Sequence, residues 1–318
     1  IALISWAAIY AYGELPIASV WLFEKVETPS LLWAAKLLLA LAVMLPPATL
    51  MGATFPFLVR AAARSTINLE RPVGQLYGAS TVGAVIGAFA GGFILLPTLH
   101  VLGTVLAAAS FNLIAALLAV SAAISIGQTV HRRRLAWCTS AALLAIIMVH
   151  CFKPPWNPMV MTSGMYHYSK QLQGKSRKVI REHLMNRAEL LFYDEGLSSV
   201  VTVARHRSTG NIWLANNGKV DASSSGDLKT QVLLAHIPFA FRPDSEKVLI
   251  IGLASGITAG SVTLHEAPTH IDITEIEPAI VAASHIFDKY NHRPLEDPRV
   301  SLVLNDARNH LQLAKDGA

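Results

Sequence analysis

Four features of this chain have residue types and spacing that could do chemistry: Gln231, the turn Gly252-Leu253-Ala254-Ser255-Gly256, Glu275 and Asp306. Glycine tolerates backbone conformations that other residues resist, so such a turn can bring its main chain close to a ligand. A carboxylate about 20 residues beyond a glycine turn is placed to accept hydrogen bonds from ribose hydroxyls. Asp306, at the end of the next strand, could accept one from an adenine amino group. A glycine pair alone is a weak sign, because many strand-to-helix turns carry one. A glycine turn and two acids at three successive strand ends point to a nucleoside site. The plainer alternative is ordinary turn glycines and solvated carboxylates. Glu277 reads as a helix-start charge facing the helix dipole.

These residues need a β-α-β-α-β framework, and the sequence spells one out. Lys247–Ile251 (KVLII) reads as a short strand, with a helix to about His265. His270–Ile276 is a second strand, Pro278–Tyr290 a helix and Val300–Leu304 a third strand. That alternation predicts a parallel sheet with helices on both faces, a Rossmann-like α/β domain. Ligands of such sheets bind beyond the carboxyl ends of the strands. Upstream, Ser199–His206 and Asn211–Asn216 alternate apolar and polar residues, a β-hairpin pattern, and Asn217-Gly218 marks a turn. Gln231–Phe241 reads as a helix closed by Arg242-Pro243.

The rest of the chain has another character. Of 318 residues, 53% are hydrophobic and only 15% charged, with a mean hydropathy of +0.43. Residues 1–150 carry 8 Lys/Arg and 4 Asp/Glu, against 18 and 17 in the remainder. Five apolar segments, about 1–23, 31–59, 73–96, 101–126 and 135–152, approach or exceed the length that crosses a bilayer as a helix. Pro46-Pro47 should kink or break the second. Gly83, Gly87 and Gly91 form a row that lets another helix approach. Glu14, before Pro16, could be a proton or substrate site, but its place near a segment end favours an interfacial kink. The expected organisation is multi-pass transmembrane helices over 1–152, a linker over 153–188, a small β-hairpin subdomain with a helix over 189–241, and an incomplete, C-terminally truncated Rossmann-like nucleoside-binding domain over 242–318.

The net charge of +5 comes mainly from basic loops and the stretch Lys170–Arg187. No basic face interleaved with aromatics is evident, which argues against nucleic acid as a partner. Cys138 and Cys151 share one apolar segment and give neither a disulfide framework nor a metal pattern. Arg60, Arg64 and Arg71 flank one loop and His131–Arg134 form another. Two spans apart, these loops share a side, which the positive-inside rule makes cytoplasmic. A fifth span would then put residues 153–318 outside, whereas a nucleotide-like donor made inside the cell argues for a cytoplasmic domain. The donor's origin is the firmer constraint, so the domain is expected to be cytoplasmic, with His131–Arg134 outside or segment 135–152 a non-spanning interfacial helix.

Residues 190–311 resemble the spermidine synthases, the polyamine aminopropyltransferases. The runs that carry the resemblance are LLFYDEGLSSVVTV, NNGKVDASSSGDLKTQVLLAHIPF, KVLIIGLASGIT, IDITEIEPAIVAAS and LEDPRVSLVLNDARNHL. LPPATLMGATFPFLVR and VGQLYGASTVGAVIGAFAGGFILLP resemble the membrane region of bacterial proteins that fuse multi-pass helices to a spermidine-synthase-like domain. The resemblance implies a class I methyltransferase-like domain after a small β-domain, in a bacterial plasma membrane. It makes Gly252 and Gly256 part of the nucleotide loop, Glu275 the ribose acid, Asp306 the adenine-side acid and Gln231 a neighbour of the donor sulfur. It also marks departures. Ser255 stands where the synthases carry an amine-holding Asp, and Thr230 where they carry a Tyr. The main catalytic acid, at the end of a fourth strand, would lie beyond residue 318.

The implied donor is S-adenosylmethionine or its decarboxylated form, and the implied partners are a small-molecule amine and the lipid bilayer. No metal is expected, and homo-oligomer formation is left open. Asp221 and Asp227 could assist in deprotonating the amine, or simply cap the loop before Gln231. A transporter or sensor that binds a nucleoside or polyamine without turnover is the alternative reading.

Overall fold

The computed structural model describes the chain except residues 27, 64–69, 126–136, 138, 142–143, 146, 149–150, 153–155, 197 and 314–318, and except the side chains at 62, 63, 70 and 122–125. The basic cluster at 131–134, Arg64 and Cys138 lie outside the described residues. The chain divides into two compact units, Ile1–Asn157 with Ser169–Gln173, and Pro158–Tyr168 with Gly174–Ala318. The stretch 153–188 is thus shared between them.

The first unit is built from α1 (Ala2–Lys25), α2 (Pro29–Ala63), α3 (Glu70–Ala90) and α4 (Leu96–Ser125), with a π-helical stretch at Gly91–Leu95 before α4. Among the described residues, three helical stretches, 2–25, 29–61 and 71–121, are long and apolar enough to cross a membrane. Leu37, Leu38, Met44 and Phe57 of α2 are among its exposed apolar side chains. Ala2, Ile9, Leu106, Ala109, Leu113 and Ala145 form a small buried cluster with Trp6 and Val105 packed against it. In the fifth apolar segment, Trp137, Leu144, Ala145 and Met148 are among the helical residues described.

Three expectations fail here. Helix α2 runs unbroken through Pro46, Pro47 and Pro56. Proline removes a donor and crowds the preceding turn, but its fixed φ is helical, so a helix can continue past it. The irregularity falls instead at the π-helical stretch and at His100, which leaves helical geometry at φ 57 and ψ 179. A Cβ built at Gly83, Gly87 or Gly91 would meet nothing within 4 Å, so no helix among the described residues packs on that glycine row. Glu14 sits near the middle of α1 rather than at an end, because α1 continues through Pro16 to Lys25.

In the second unit, helix α5 (Arg177–Asn186) leads into four antiparallel strands: β1 (Ala188–Glu195), β2 (Val200–His206), β3 (Ile212–Asn216) and β4 (Lys219–Ser223), in that order across the sheet. The expected hairpin is the centre of this meander. Asn217 and Gly218, at φ 49 and 81, make its tight β3–β4 turn, the form that matches strand twist. Sequence alternation missed β1 because its register slips between Leu190 and Phe192, which breaks the period-two pattern. β4 was missed because it is short and mostly polar.

Helix α6 (Leu228–Phe241) follows, then β5 (Lys247–Ile251), α7 (Ile257–Thr263), β6 (His270–Glu275), α8 (Pro278–Ser284), β7 (Val300–Leu304) and α9 (Ala307–Leu313). The strands pair in parallel in the order β5-β6-β7, a Rossmann-type α/β arrangement. Val248, Ile250, Ile271, Ile273, Val300 and Leu302 share one sheet face and pack with Phe239, Ile257, Val262, Ile280 and Phe287. Helices on both faces were expected. On the other face the described Leu249 and Ile251 are exposed, although Thr274 beside Ile251 is buried.

Arg299 locks the base of this layer. Its guanidinium donates to the carbonyls of Thr263, His265 and Pro268 and, at 2.8–3.0 Å, to both carboxylate oxygens of Asp297. The Arg299 hydrogen bond holds the Asp297 carboxyl below the usual carboxylate range, against a smaller opposing effect of burial. A carboxylate with a lowered folded pKa adds stability above its unfolded pKa, and that stability is lost as pH falls through the folded value. The Tm advantage of the wild type over Asp297→Asn should therefore be full at neutral pH. It should shrink below about pH 4, read by thermal melts across an acid series.

Candidate functional site

The three strand ends do converge. β5 releases the chain into the glycine turn, where Gly252, Ala254 and Gly256 take positive φ of 85, 47 and 77. An alanine in the left-handed region is disfavoured by about 1–2 kcal/mol, so the surroundings must hold the turn. Gly252 N–H donates to Thr274 O and Gly256 N–H to Leu253 O, each at 2.8 Å. A Cβ at Gly252 would meet nothing within 4 Å. That is the open approach a ligand needs.

Glu275, at the end of β6, is 5% exposed. Its Oε2 accepts from Leu253 N–H at 2.9 Å. Its Oε1 accepts from Ile276 N–H at 2.9 Å and Glu277 N–H at 3.0 Å. A carboxylate offers about four acceptor positions, and the main chain takes three. Glu275 therefore anchors the glycine turn, and three main-chain donors leave one of its acceptor positions, on Oε2, over.

Asp306 follows β7, whose end is tied to β6 by Asn305 N–H donating to Glu275 O at 3.0 Å. Asp306 itself is exposed, and its Oδ1 accepts from Arg308 N–H at 2.7 Å and Asn309 N–H at 3.3 Å. It caps α9 while remaining open to solvent.

On the other side of the turn, Gln231 and Ser255 meet. Ser255 is buried, and its hydroxyl donates to Gln231 Oε1 at 2.5 Å and accepts from Ile257 N–H at 3.3 Å. Gln231 Nε2 donates to Ser223 O at 2.9 Å. A carbonyl can only accept, which fixes the Gln231 amide with its oxygen toward Ser255. Ser223 Oγ donates to Asp227 Oδ2 at 3.1 Å and accepts from Asp227 N–H at 2.9 Å. Gln231, Ser255 and Asp227 thus belong to one network. Asp221 stands apart, paired with Lys219 Nζ at 3.0 Å, and that contact raises the Lys219 pKa.

Glu277 caps α8 through Ala279 N–H at 3.4 Å, as a helix-start charge should. It is also buried, and accepts from Ser198 Oγ at 2.6 Å and Ser198 N–H at 3.2 Å. Sequence reading missed that tie, and missed Asn291, whose side chain donates to Ser255 O at 2.9 Å. The only hint of Asn291 was an Asn in the turn-prone run Asn-His-Arg-Pro. Packing behind the turn is also tight. A Cβ at Gly260 would lie 1.6 Å from Asn291 O, a clash with backbone that no side-chain rotation relieves. Gly260→Ala should cost at least about 1–3 kcal/mol, measured as a fall in urea midpoint with unchanged slope.

Residues 228–317, which contain the glycine turn, Glu275 and Asp306, match the spermine/spermidine synthase domain family. The C-terminal part of the chain is spermidine synthase-like. Putrescine N-methyltransferase 1 of Nicotiana tabacum is 30% identical over 41% of this chain and 34% of its own length. Polyamine aminopropyltransferase 1 of Streptomyces coelicolor is 25% identical over 86% of this chain and 49% of its own. An alignment that long must enter the helical half. Spermidine synthase 1 of Datura stramonium is 27% identical over 42% of this chain and 44% of its own. The chain spans about a third to a half of these relatives' lengths.

Proposed function

We propose that this chain is part of a membrane-bound, spermidine synthase-like transferase. It would bind S-adenosylmethionine or its decarboxylated form and transfer an aminopropyl or methyl group to an amine. The observation that carries the reading is the pairing of an open Gly252 with a buried Glu275 that keeps one acceptor position beside it. The named relatives, which are aminopropyl- and methyltransferases, support the same reaction class.

A sulfonium donor supplies an activated carbon. The amine lone pair forms the new N–C bond, the C–S bond electrons go to sulfur, and a neutral thioether leaves. The ammonium that results gives up its proton. The protein's task is to orient the two partners and exclude water. Glu275 would hold a ribose hydroxyl with a single hydrogen bond. Asp306 is exposed next to it and would serve the adenine side. Gln231, fixed by Ser223 and Ser255, presents a neutral polar wall near the sulfur. Asp227 is the better placed of the two candidate bases, through its link to the Gln231 network. Asp221 would have to leave Lys219.

The acceptor wall at residue 255 is neutral, with its hydroxyl already committed. Putrescine, whose second ammonium would lack a carboxylate there, should be a poor acceptor by about ten- to a hundredfold in apparent affinity. Mass spectrometry of products, from full-length protein incubated with each donor and a panel of amines, tests the whole reading. Efficient spermidine formation would refute the acceptor claim. Donor binding with no product from any amine would favour the binding-only transporter or sensor.

The membrane half of the proposal rests on the length and composition of the apolar helices, with the catalytic domain on the cytoplasmic side of a bacterial plasma membrane, where the donor is made. Thr209 lies in the exposed β2–β3 turn. A Thr209→Cys variant lacking the native cysteines should react with an impermeant thiol reagent only after cell lysis. Labelling in intact cells would reverse the assigned side.

A further inference from the structure

Asn291 is buried at the end of a single helical turn, Asp288–Asn291. All of its side-chain groups are used: Nδ2 donates to Ser255 O at 2.9 Å and to Ser284 O at 3.1 Å, and Oδ1 accepts from Arg293 N–H at 2.9 Å. Two carbonyls on one side and an N–H on the other leave the amide orientation unambiguous. The next two residues, His292 and Arg293, both lie in the left-handed region at φ 55 and 51, which non-glycine residues resist. The Asn291 carboxamide bridges the foot of this reversal to the glycine turn and to the end of α8.

The glycines divide accordingly. A Cβ at Gly256 would lie 3.0 Å from Asn291 Nδ2, and one at Gly260 would overlap Asn291 O, while one at Gly252 would meet open space. Gly256 and Gly260 make room for Asn291, and Gly252 makes room for a ligand. The glycine that looked like half of a ligand cradle is part of the cradle's support.

We propose that Asn291 is a positioning residue for the donor-binding turn, acting through the Ser255 main-chain carbonyl. It would fix the peptide between Ser255 and Gly256, which lies between the positive-φ residues Ala254 and Gly256, and so keep Gly252 aligned with Glu275. The functional half of this assignment rests on the donor reading of the turn given above. The structural half does not.

The test uses the full-length chain in detergent, as wild type, Asn291→Ala, Asn291→Asp and a control, Arg299→Ala, which removes a comparably connected side chain from the base of the same layer. Asn291→Asp keeps the acceptor for Arg293 and loses both donors. Hydrogen exchange is read first without any donor. Amides of residues 252–258 should exchange at least tenfold faster in both Asn291 variants, with strands β2 and β3 unchanged. The control should leave the turn as in the wild type at a similar loss of Tm. Calorimetry with S-adenosylmethionine and its decarboxylated form should then show Kd raised about tenfold in the Asn291 variants, a difference of about 1.4 kcal/mol, and not in the control. Unchanged turn exchange in either folded Asn291 variant, or an equal rise in Arg299→Ala, would overturn the proposal. A wild-type chain that binds neither donor would overturn the proposed function, while the exchange contrast would still decide Asn291.

Discussion

Glu275→Ala should both unfold more easily and lose the donor. The substitution leaves the amides of Leu253, Ile276 and Glu277 without their acceptor. The Leu253 and Glu277 amides are buried, and each unsatisfied buried donor costs about 1–3 kcal/mol, so a total loss of about 2 kcal/mol or more is expected, a large fraction of an ordinary domain's stability. Glu275→Gln keeps the shape but turns an NH2 toward backbone N–H groups, and should recover only part of that loss. Urea midpoints of the three proteins measure the stability arm. Calorimetry with donor measures the other, and affinity should fall about ten- to a hundredfold in Glu275→Ala. A folded Glu275→Ala protein with wild-type donor affinity would remove Glu275 from the site.

Ser255→Asp carries the second large effect, and here the structure changes the outcome that sequence comparison implies. From the resemblance, an acid at 255 should restore a grip on a diamine. In the fold, that acid would be buried and pressed against Gln231 Oε1. Gln231 cannot turn its NH2 toward the new carboxylate without abandoning Ser223 O. A buried charge with no partner costs about 3–5 kcal/mol. Ser255→Asp alone should therefore be strongly destabilised and gain no putrescine turnover. Pairing it with Gln231→His supplies a donor to the acid and should recover stability, so the two changes should be strongly non-additive in a double-mutant cycle. Thermal melts of the four proteins decide it. A Ser255→Asp chain as stable as wild type would show that residues 231 and 255 are not coupled.

Some of this is legible in the sequence. β5 and β7 fall where the apolar runs KVLII and VSLVL place them, and β6 ends one residue before the expected Ile276, because a short apolar run bounded by turn residues is the mark of a strand in a parallel sheet. The parallel pairing followed from the alternation of strands and helices. The turn at Asn217-Gly218 was equally plain, since few residue pairs accept two successive positive φ values. These are local properties, set by side-chain period and backbone sterics.

The division of roles around the glycine turn was not local. Whether Gly256 faces a ligand or a protein side chain depends on Asn291, which approaches it from 35 residues further along the chain. The commitment of Ser255 depends on Gln231, 24 residues before it. The same holds in the helical unit, where the glycine row at 83, 87 and 91 has the spacing of a packing seam but meets no helix among the described residues. By itself the sequence determined which polar residues stand at the strand ends, because residue type and strand position fix that much. Only the tertiary structure decided which polar groups there are already spent on one another and which remain for a ligand, because hydrogen-bond capacity is filled by whatever the fold brings within about 3 Å.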